Sequence, residues 1–363
     1  MNKKLIALAV AGACVAPAAM AQTANPVTLY GKVYVTLESV DTGGSTAGSL
    51  PRRNRVSDQA SRIGVRGTED LGGGLKAFFQ LETVFKADQN DSTFANRNSG
   101  VGLQGAWGSF LMGRWDTPLK QAANAMDPYG DVTLGAQSSA LLGSGVAGVV
   151  GGFDTRQQNV VQYWSPSWAG FAVKLSYMAN EGRTTGAAAV NPRSEGGTLT
   201  YTGGPIYAGY AYHQMKDTAF GTVASGGGTP ATQKLNALFG TFTFGPVKIG
   251  GMYHKIERTN FSEQKAWLAN VVWTLGNNQI IYQHQDAKDG ARNDQLNAQP
   301  SCKNDSIGWQ YNFSRRTFWL LEYSKVENND TGTCNFGSTP GPLTTAIAGQ
   351  DVKALQMGIS HSF

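Results

Sequence analysis

Alternating apolar and polar residues recur along the chain, and the clearest example is the segment Ser61–Phe85. Read with a period of two, this segment predicts two strands joined by the glycine-rich turn Asp70–Gly74. Each predicted strand has one apolar face and one face that carries charge. A soluble sandwich buries the apolar face in a core, whereas a membrane barrel presents it to lipid and turns the charged face toward a wet lumen. The hairpin alone is compatible with both folds.

Sixteen strands can be assigned along the chain, from Val27–Leu37 to Val352–Phe363. A polar loop that runs through Arg55 follows the first strand. The last strand ends on an aromatic residue, as expected of a strand that closes a barrel by pairing with the first. Seven short turns separate longer loops rich in Gly, Asn, Asp, Ser and Thr. Short turns on one rim and long loops on the other are typical of outer-membrane barrels, so the pattern predicts an all-β fold, a 16-stranded antiparallel transmembrane β-barrel.

The longest stretch without clean alternation runs from Asp116 to Thr155. A connection of this length within a compact domain is evidence of a functional loop. The stretch is rich in Gly, Ala and Ser, which suits a segment packed against the inner wall of a barrel. We therefore expect residues 116–155 to lie inside the barrel and to narrow it.

The N-terminal residues predict a secretory signal peptide. Two lysines near the start form a positive region, the apolar segment Leu5–Ala13 follows, and Ala19–Ala21 forms a small-x-small cleavage site. We therefore expect residues 1–21 to be removed, and residues 22–363 to form a single barrel domain.

Cys302 and Cys334 are the two cysteines that remain after removal of the signal peptide. They lie just outside two predicted strands whose external ends are adjacent, because a short turn joins the strands at the other end. Secreted proteins meet an oxidising environment, and we expect Cys302 and Cys334 to form a disulfide. Two unpaired loop cysteines are the alternative, because the pattern does not fix the geometry of the loops.

Composition bears on several other functions. The net charge of +5 falls to +3 without the two N-terminal lysines, which is too balanced for a polyanion binder, so no nucleic-acid partner is expected. No apolar run of about 18 residues follows the signal peptide, so no membrane helix is expected. The four histidines lack the spacing of a metal site. No metal, cofactor or enzymatic activity is predicted.

Three alternatives to a general diffusion channel remain open. A barrel hydrolase would need a Ser–His pair on adjacent strands near the rim. An adhesin or structural barrel would carry its function in the external loops and would have a plugged lumen. A substrate-specific channel would have a slide of aromatic side chains along the lumen, and none is visible in the sequence.

Five segments resemble the Gram-negative general porins, most closely the betaproteobacterial type. These segments are TLYGKV (Thr28–Val33), SRIGVRGTEDLGGGLKAFFQLE (Ser61–Glu82), VGLQGAWGSFLMGR (Val101–Arg114), VQYWSPSWAGF (Val161–Phe171) and GISHSF (Gly358–Phe363). The resemblance implies a sixteen-stranded barrel in the outer membrane of a Gram-negative bacterium, usually a homotrimer in contact with lipid and lipopolysaccharide. It also implies a third external loop that folds inward, and passive passage of ions and small hydrophilic solutes.

The resemblance further implies which charged residues line the pore. Four basic residues match a ladder on the pore wall: Lys32, Arg62, Arg97 and Arg156. The expected pore acids lie on the wall and in the third loop: Glu82, Asp127, Asp131 and Asp154. Further basic candidates, placed on the lumen face by the alternation, are Arg66 and Arg114. Bases on one wall that face acids on a loop create a strong local field, and the surplus of positive charge predicts moderate anion selectivity.

Overall fold

The structure, a computed structural model, describes residues 27–41, 52–88, 94–130, 133–136, 153–185, 191–217, 232–259, 263–289, 301–332, 334–336 and 348–363. In these ranges, seventeen strand segments form one sheet. Their bounds are β1 (Thr28–Asp41), β2 (Arg53–Asp58), β3 (Arg62–Gly72), β4 (Leu75–Val84), β5 (Ser99–Gly105), β6 (Gly108–Asp116), β7 (Arg156–Trp164), β8 (Phe171–Met178), β9 (Arg193–Gly203), β10 (Ile206–Lys216), β11 (Thr232–Phe244), β12 (Val247–Arg258), β13 (Gln264–Leu275), β14 (Asn278–Asp289), β15 (Ser301–Asn312), β16 (Thr317–Asn328) and β17 (Val352–Ser362). The helix α1 (Pro118–Met126) lies between β6 and β7. The predicted signal peptide, residues 1–21, lies outside the described residues.

The sheet closes on itself because β1 pairs antiparallel with β17. At this seam, Gly31 and Phe363 exchange two backbone hydrogen bonds of 3.1 Å each. The segments β2 and β3 both pair with β1, each along a different half of it, so together they make a single wall strand. The wall therefore has sixteen strands, and the predicted antiparallel barrel is confirmed.

A β-bulge separates β2 from β3. Two residues of β1 lie opposite the three residues 59–61, and Ala60 adopts a φ of +54°. The hydroxyl of Ser61 replaces a backbone carbonyl of the ladder, because its Oγ accepts a hydrogen bond of 2.9 Å from the Tyr34 N–H. Such a bulge re-aims the side chains that follow it while the strand continues.

This wall strand extends further than the sequence predicted. The predicted polar loop runs through Arg55, whereas β2 already begins at Arg53. Arg55 forms an ion pair with the buried Glu38 on β1, with 2.6 Å between Nε and Oε2. Val56 is the one large apolar residue of β2 and is 55% exposed. A single apolar residue does not produce a visible alternation, so the sequence pattern of these residues predicts a loop.

The two faces of the wall have opposite character, as β17 illustrates. Leu355 and Ile359 are 49% and 55% exposed on the outer face. The residues that follow each of them, Gln356 and Ser360, point inward and are 1% exposed. Apolar residues outside and polar residues inside are the arrangement of a barrel with lipid around it.

Part of the barrel interior is apolar, where the sequence predicted a wet lumen. Thr117 caps α1, since its Oγ1 accepts a hydrogen bond of 3.2 Å from the Lys120 N–H. Leu119 on α1 is 1% exposed and belongs to one buried cluster with Leu235 and Leu268 on the wall. The helix therefore packs inside the barrel. No helix among the described residues is long and apolar enough to cross a bilayer.

We call residues 116–155 the inner loop, because hydrogen bonds fix its described parts to the inner wall. The N–H of Gly135 donates to Glu322 Oε1 on β16 at 2.5 Å. The carbonyl of Gly135 accepts from Gln283 Nε2 on β14 at 2.6 Å. On β15, Asn304 Nδ2 donates to the Leu134 carbonyl at 3.3 Å. The three wall side chains are fully buried, so backbone groups of the inner loop take the place of water on them.

Cys302 and Cys334 are joined by a disulfide, with their Cα atoms 6.2 Å apart. Cys302 lies within β15, rather than just outside it as predicted, and is opposite Asn328 on β16. The Asn328 side chain donates to the Cys334 carbonyl at 3.1 Å and accepts from the Cys334 N–H at 2.8 Å. The disulfide and the Asn328 side-chain amide together hold the segment after β16 at the rim of the barrel.

Replacing both cysteines by alanine should make the chain easier to unfold without opening the barrel. The disulfide bridges a sequence separation of 32, and loop-closure entropy assigns about 3–4 kcal/mol to a bond of that span. We expect a lower unfolding temperature, measured by circular dichroism, with the β-sheet spectrum retained before unfolding. A reaction of two equivalents of a thiol reagent with unfolded, unreduced protein lacking residues 1–21 would show that the bond does not form.

Candidate functional site

Four basic side chains converge on one part of the inner wall. Lys32 on β1 lies directly opposite Arg62 on β3. Lys32 interacts electrostatically with Arg62 and Arg97, and Arg62 in turn interacts with Arg97 and Arg156. Arg97 precedes β5 and Arg156 begins β7. The structure thus brings together the four residues of the predicted ladder, which we call the basic cluster.

Glu82 on β4 orients two members of the basic cluster. Its Oε1 lies 2.5 Å from Arg97 Nε, and its Oε2 lies 3.8 Å from Arg62 Nε. The hydroxyl of Tyr30 donates to the same Oε2 at 3.1 Å. Glu82 is only 7% exposed, so this carboxylate is placed among the bases and holds their guanidinium groups in fixed positions.

Asp116 supplies a second carboxylate, which the sequence analysis did not select. Its Oδ1 lies 2.9 Å from Arg156 Nη2. Asn98 bridges the pair, because its Oδ1 accepts from Arg156 Nε at 2.6 Å and its Nδ2 donates to Asp116 Oδ2 at 2.9 Å. Asp116 is the last residue of β6 and is opposite Arg156 in the register. The sequence pattern places Asp116 at the start of a loop, so it does not predict the pairing with Arg156.

The loop acids do not face the basic cluster as a group. Asp154 Oδ1 forms an ion pair of 2.6 Å with Lys120 Nζ, and both side chains are nearly buried. Asp127 ends α1, and its Oδ1 accepts a hydrogen bond of 2.9 Å from the Tyr129 N–H. Asp131 lies outside the described residues. The charge of Asp154 is therefore matched within the inner loop itself.

Arg66 is on the lumen side but outside the basic cluster. Its guanidinium carbon lies 5.1 Å from the centroid of the Tyr30 ring, and the side chain is exposed. Tyr30 in turn donates a hydrogen bond to Glu82, so Arg66 is connected to the basic cluster through Tyr30.

Arg114 is not part of the basic cluster, which differs from the prediction. Its Nε donates to the Asn96 carbonyl at 3.0 Å. It borders a depression of the outer surface that also contains Met112, which is 52% exposed. The alternation on β6 was ambiguous because both faces carry apolar residues. Leu111 and Trp115 are both apolar and both buried.

Positive charge exceeds negative charge at this site. Glu82 and Asp116 contact the basic cluster, and Asp58 in the bulge region interacts electrostatically with Lys32. Three carboxylates therefore face four basic groups, among the residues that the structure describes. The side chains of Arg62 and Arg97 are 29% and 20% exposed, so water and ions in the lumen can reach them. An array of this kind attracts anions, because low-dielectric walls focus the field of fixed charges.

A Ser–His pair on adjacent strands is also present, as the hydrolase alternative required. Ser194 Oγ on β9 lies 2.8 Å from His213 Nε2 on β10. Both residues are 1% exposed, and the Phe153 ring packs 5.6 Å from the imidazole. The His213 Nδ1 atom has no hydrogen-bond partner in the described structure, so this pair lacks both substrate access and an orienting carboxylate.

Comparison with known proteins relates the whole barrel to one family. The chain matches the family model described as Gram-negative porin over residues 7–331. It is 30% identical over 372 residues to outer membrane porin protein 32 of Delftia acidovorans, with 100% of each chain covered. Among solved structures, the anion-selective porin from Comamonas acidovorans is similar with a TM-score of 0.78 and 26% identity, covering 93% of this chain and 100% of that one.

A more distant structure is similar in fold alone. OmpT of Vibrio cholerae, in its trimer form, has a TM-score of 0.67 at 16% identity, covering 94% of this chain and 100% of that one. Since the family model extends over β1–β16 and the basic cluster, and the Delftia relative over the whole chain, the chain belongs to the Gram-negative porin family and is a protein of the outer membrane.

Proposed function

We propose that the chain forms a general diffusion pore for ions and small hydrophilic solutes, with a moderate preference for anions. The observation that carries this proposal is the surplus of positive charge in the basic cluster. Arg62 and Arg97 share one carboxylate, and Lys32 lies beside them. A permeating anion gains from this field, whereas a cation of similar size is disfavoured.

The proposed selectivity also depends on two carboxylates at the inner loop that do not face the basic cluster, among the residues that the structure describes. Asp154 is matched by Lys120, and Glu322 is fully buried beneath the loop. Neither carboxylate therefore offsets the basic cluster across the open lumen. The Debye length is about 10 Å at 0.1 M salt, so the preference should be strongest in dilute salt.

We also propose that the inner loop is the constriction that sets the exclusion limit of the pore. Support comes from its contacts with two sides of the barrel. Gly135 is held by Glu322 and Gln283 on the wall strands β16 and β14. On the other side, Lys174 Nζ on β8 donates to Gln121 Oε1 on α1 at 2.5 Å. A loop anchored at both places crosses the path of a solute.

The working unit is proposed to be a homotrimer. The trimer form of the Vibrio cholerae OmpT structure and membership in the porin family support this assembly. Mass measurement of the detergent-extracted protein before and after heating tests it, and a single-chain mass at all temperatures would contradict it.

Lipopolysaccharide is the proposed partner of the external rim. Lys265 on β13 lies directly between Lys255 on β12 and Lys288 on β14. This row lies beyond the exposed Tyr253 and Trp267, which are 45% and 41% exposed on the outer face. Aromatic residues mark the level of a membrane interface, so the lysines are at the height of anionic headgroups.

Replacing Arg62 and Arg156 together by serine should move the pore toward cation preference. The change removes two of the four charges of the basic cluster. We expect the chloride-to-potassium permeability ratio to fall by about two- to tenfold, since focused fixed charges set potentials of several kT. The measurement is the reversal potential of planar bilayers under a salt gradient in dilute salt.

The matched control for this change is the double variant Lys303→Ser with Lys353→Ser. It removes the same charge from exposed positions on the outer face, so its permeability ratio should stay at the wild-type value. A wild-type channel that already prefers potassium over chloride in dilute salt would contradict the proposed role of the basic cluster.

Removing the carboxylate beneath the inner loop should loosen the constriction. Glu322→Ala leaves the Gly135 N–H without its acceptor, which costs about 1–3 kcal/mol for a buried donor. We expect larger current fluctuations and a higher mean single-channel conductance. Glu327→Ala, on the outer face of the same strand, should behave as wild type. Identical traces for Glu322→Ala and wild type, with both folded, would mean that the loop does not set the conductance.

A further inference from the structure

We propose that the inner wall carries a binding subsite for planar aromatic carboxylates, between the basic cluster and the rim of short turns. This inference rests on the proposed function, because a ligand must enter the lumen to reach the subsite. The site is a depression of about 470 Å³. Small-molecule sites typically measure about 300–1,000 Å³, so the depression has room for a single aromatic ring with its carboxylate.

Aromatic rings line this depression. Phe78 on β4, Trp115 on β6 and Trp164 on β7 all border it. The two tryptophan rings lie 5.7 Å apart at a tilted angle. Gly102 on β5 makes space for Phe78, because a Cβ at position 102 would lie 2.5 Å from the Phe78 Cζ atom. Trp115 is buried, and the partly buried rings of Phe78 and Trp164 pack against its cluster at the border of the depression.

Two cations flank the rings. Lys174 is not among the residues that line the depression, but its Nζ lies 5.1 Å from the centroid of the Trp164 ring and donates to Gln121 Oε1. On the other side, the exposed Arg66 borders the depression and stacks over Tyr30. A guanidinium that stacks on an aromatic face keeps its edge N–H groups free to pair with a carboxylate in a bidentate manner. The depression thus combines flat apolar surface with fixed positive charge.

This combination favours one chemical class over its neighbours. An inorganic anion uses the cations but leaves the rings unoccupied. A neutral sugar uses the ring faces but gains nothing from the charge of Arg66. An aromatic carboxylate uses both, since aromatic pairs prefer offset or edge contacts and the carboxylate pairs with a cation. The amide side chain of Gln80, also at the border, adds a polar group for ring substituents.

The test compares benzoate with cyclohexanecarboxylate on the wild-type channel. The two anions have the same charge and similar size, but only benzoate has an aromatic ring. Each is added to the short-turn side of a channel conducting chloride, and the block of single-channel current is measured. We expect benzoate to block with an apparent affinity about two- to tenfold higher, the size of one aromatic contact. Equal block by both anions, or equal block by neutral benzamide, would overturn the proposal.

Variants test whether benzoate blocks the current at this depression. Trp164→Leu should reduce the benzoate block toward the cyclohexanecarboxylate value, whereas Arg66→Gln should weaken the block by both carboxylates, with each block expressed relative to the variant's own open current. Trp309→Leu, a residue 43% exposed on the outer face, is the matched control and should keep both the conductance and the block. If Trp164→Leu does not fold, Arg66→Gln, at an exposed position, still decides the matter. Unchanged benzoate block in the folded variants would overturn the subsite.

The two proposals fail in different ways. A channel with no chloride conductance would contradict the diffusion pore. A channel that conducts chloride with the expected selectivity, but does not distinguish the two carboxylates, would contradict the subsite alone.

Discussion

The requirement that every backbone hydrogen bond be satisfied without water governs this molecule. In a bilayer, an open sheet edge leaves N–H and C=O groups without partners, so a sheet must close. Here closure depends on the pairing of β1 with β17, sealed by the reciprocal bonds between Gly31 and Phe363. Once the wall is closed, the strands satisfy one another's backbone hydrogen bonds. The inward side chains are then available to line the pore. The basic cluster, the depression and the seat of the inner loop are all built from such inward positions.

The inner loop turns a wide barrel into a shaped channel. Its helix packs on apolar wall residues such as Leu235, and its tip hydrogen-bonds to buried polar residues such as Gln283. The interior is therefore divided. The side that packs against the inner-loop helix resembles the core of a soluble protein. The other side carries the partly exposed cations of the basic cluster. The division explains why the lumen tolerates buried leucines and methionines, which the simple rule of a polar interior does not allow.

Most of the wall could be predicted because a period-two pattern is local. Strand β17 shows it plainly from Leu355 to Ser360, since Leu355, Met357 and Ile359 are exposed outside and Gln356 and Ser360 are buried inside. The bases Lys32, Arg62, Arg97 and Arg156 were selected from sequence motifs, and the structure brings them together. What the sequence did not predict depends on contacts between distant residues. Asp116 became a site residue only through its register with Arg156. Arg114 was misplaced because Leu111 and Trp115 are apolar yet inward, held there by packing that no local pattern records.

The bulge at residues 59–61 has a consequence for how this barrel tolerates changes of length. On β2, odd-numbered residues such as Arg55 face inward, whereas on β3 it is even-numbered ones such as Arg62. The extra residue reverses the numbering of the inner face, so one strand can contribute charges to the lumen on both sides of the bulge. Deleting one of residues 59–61 would place two residues opposite two, so the register would become regular and both Arg55 and Arg62 would still face inward. A one-residue change within a regular part of a wall strand would exchange its inner and outer faces, whereas the bulge is a place where the wall holds one extra residue and keeps the inner face of the strand on both sides.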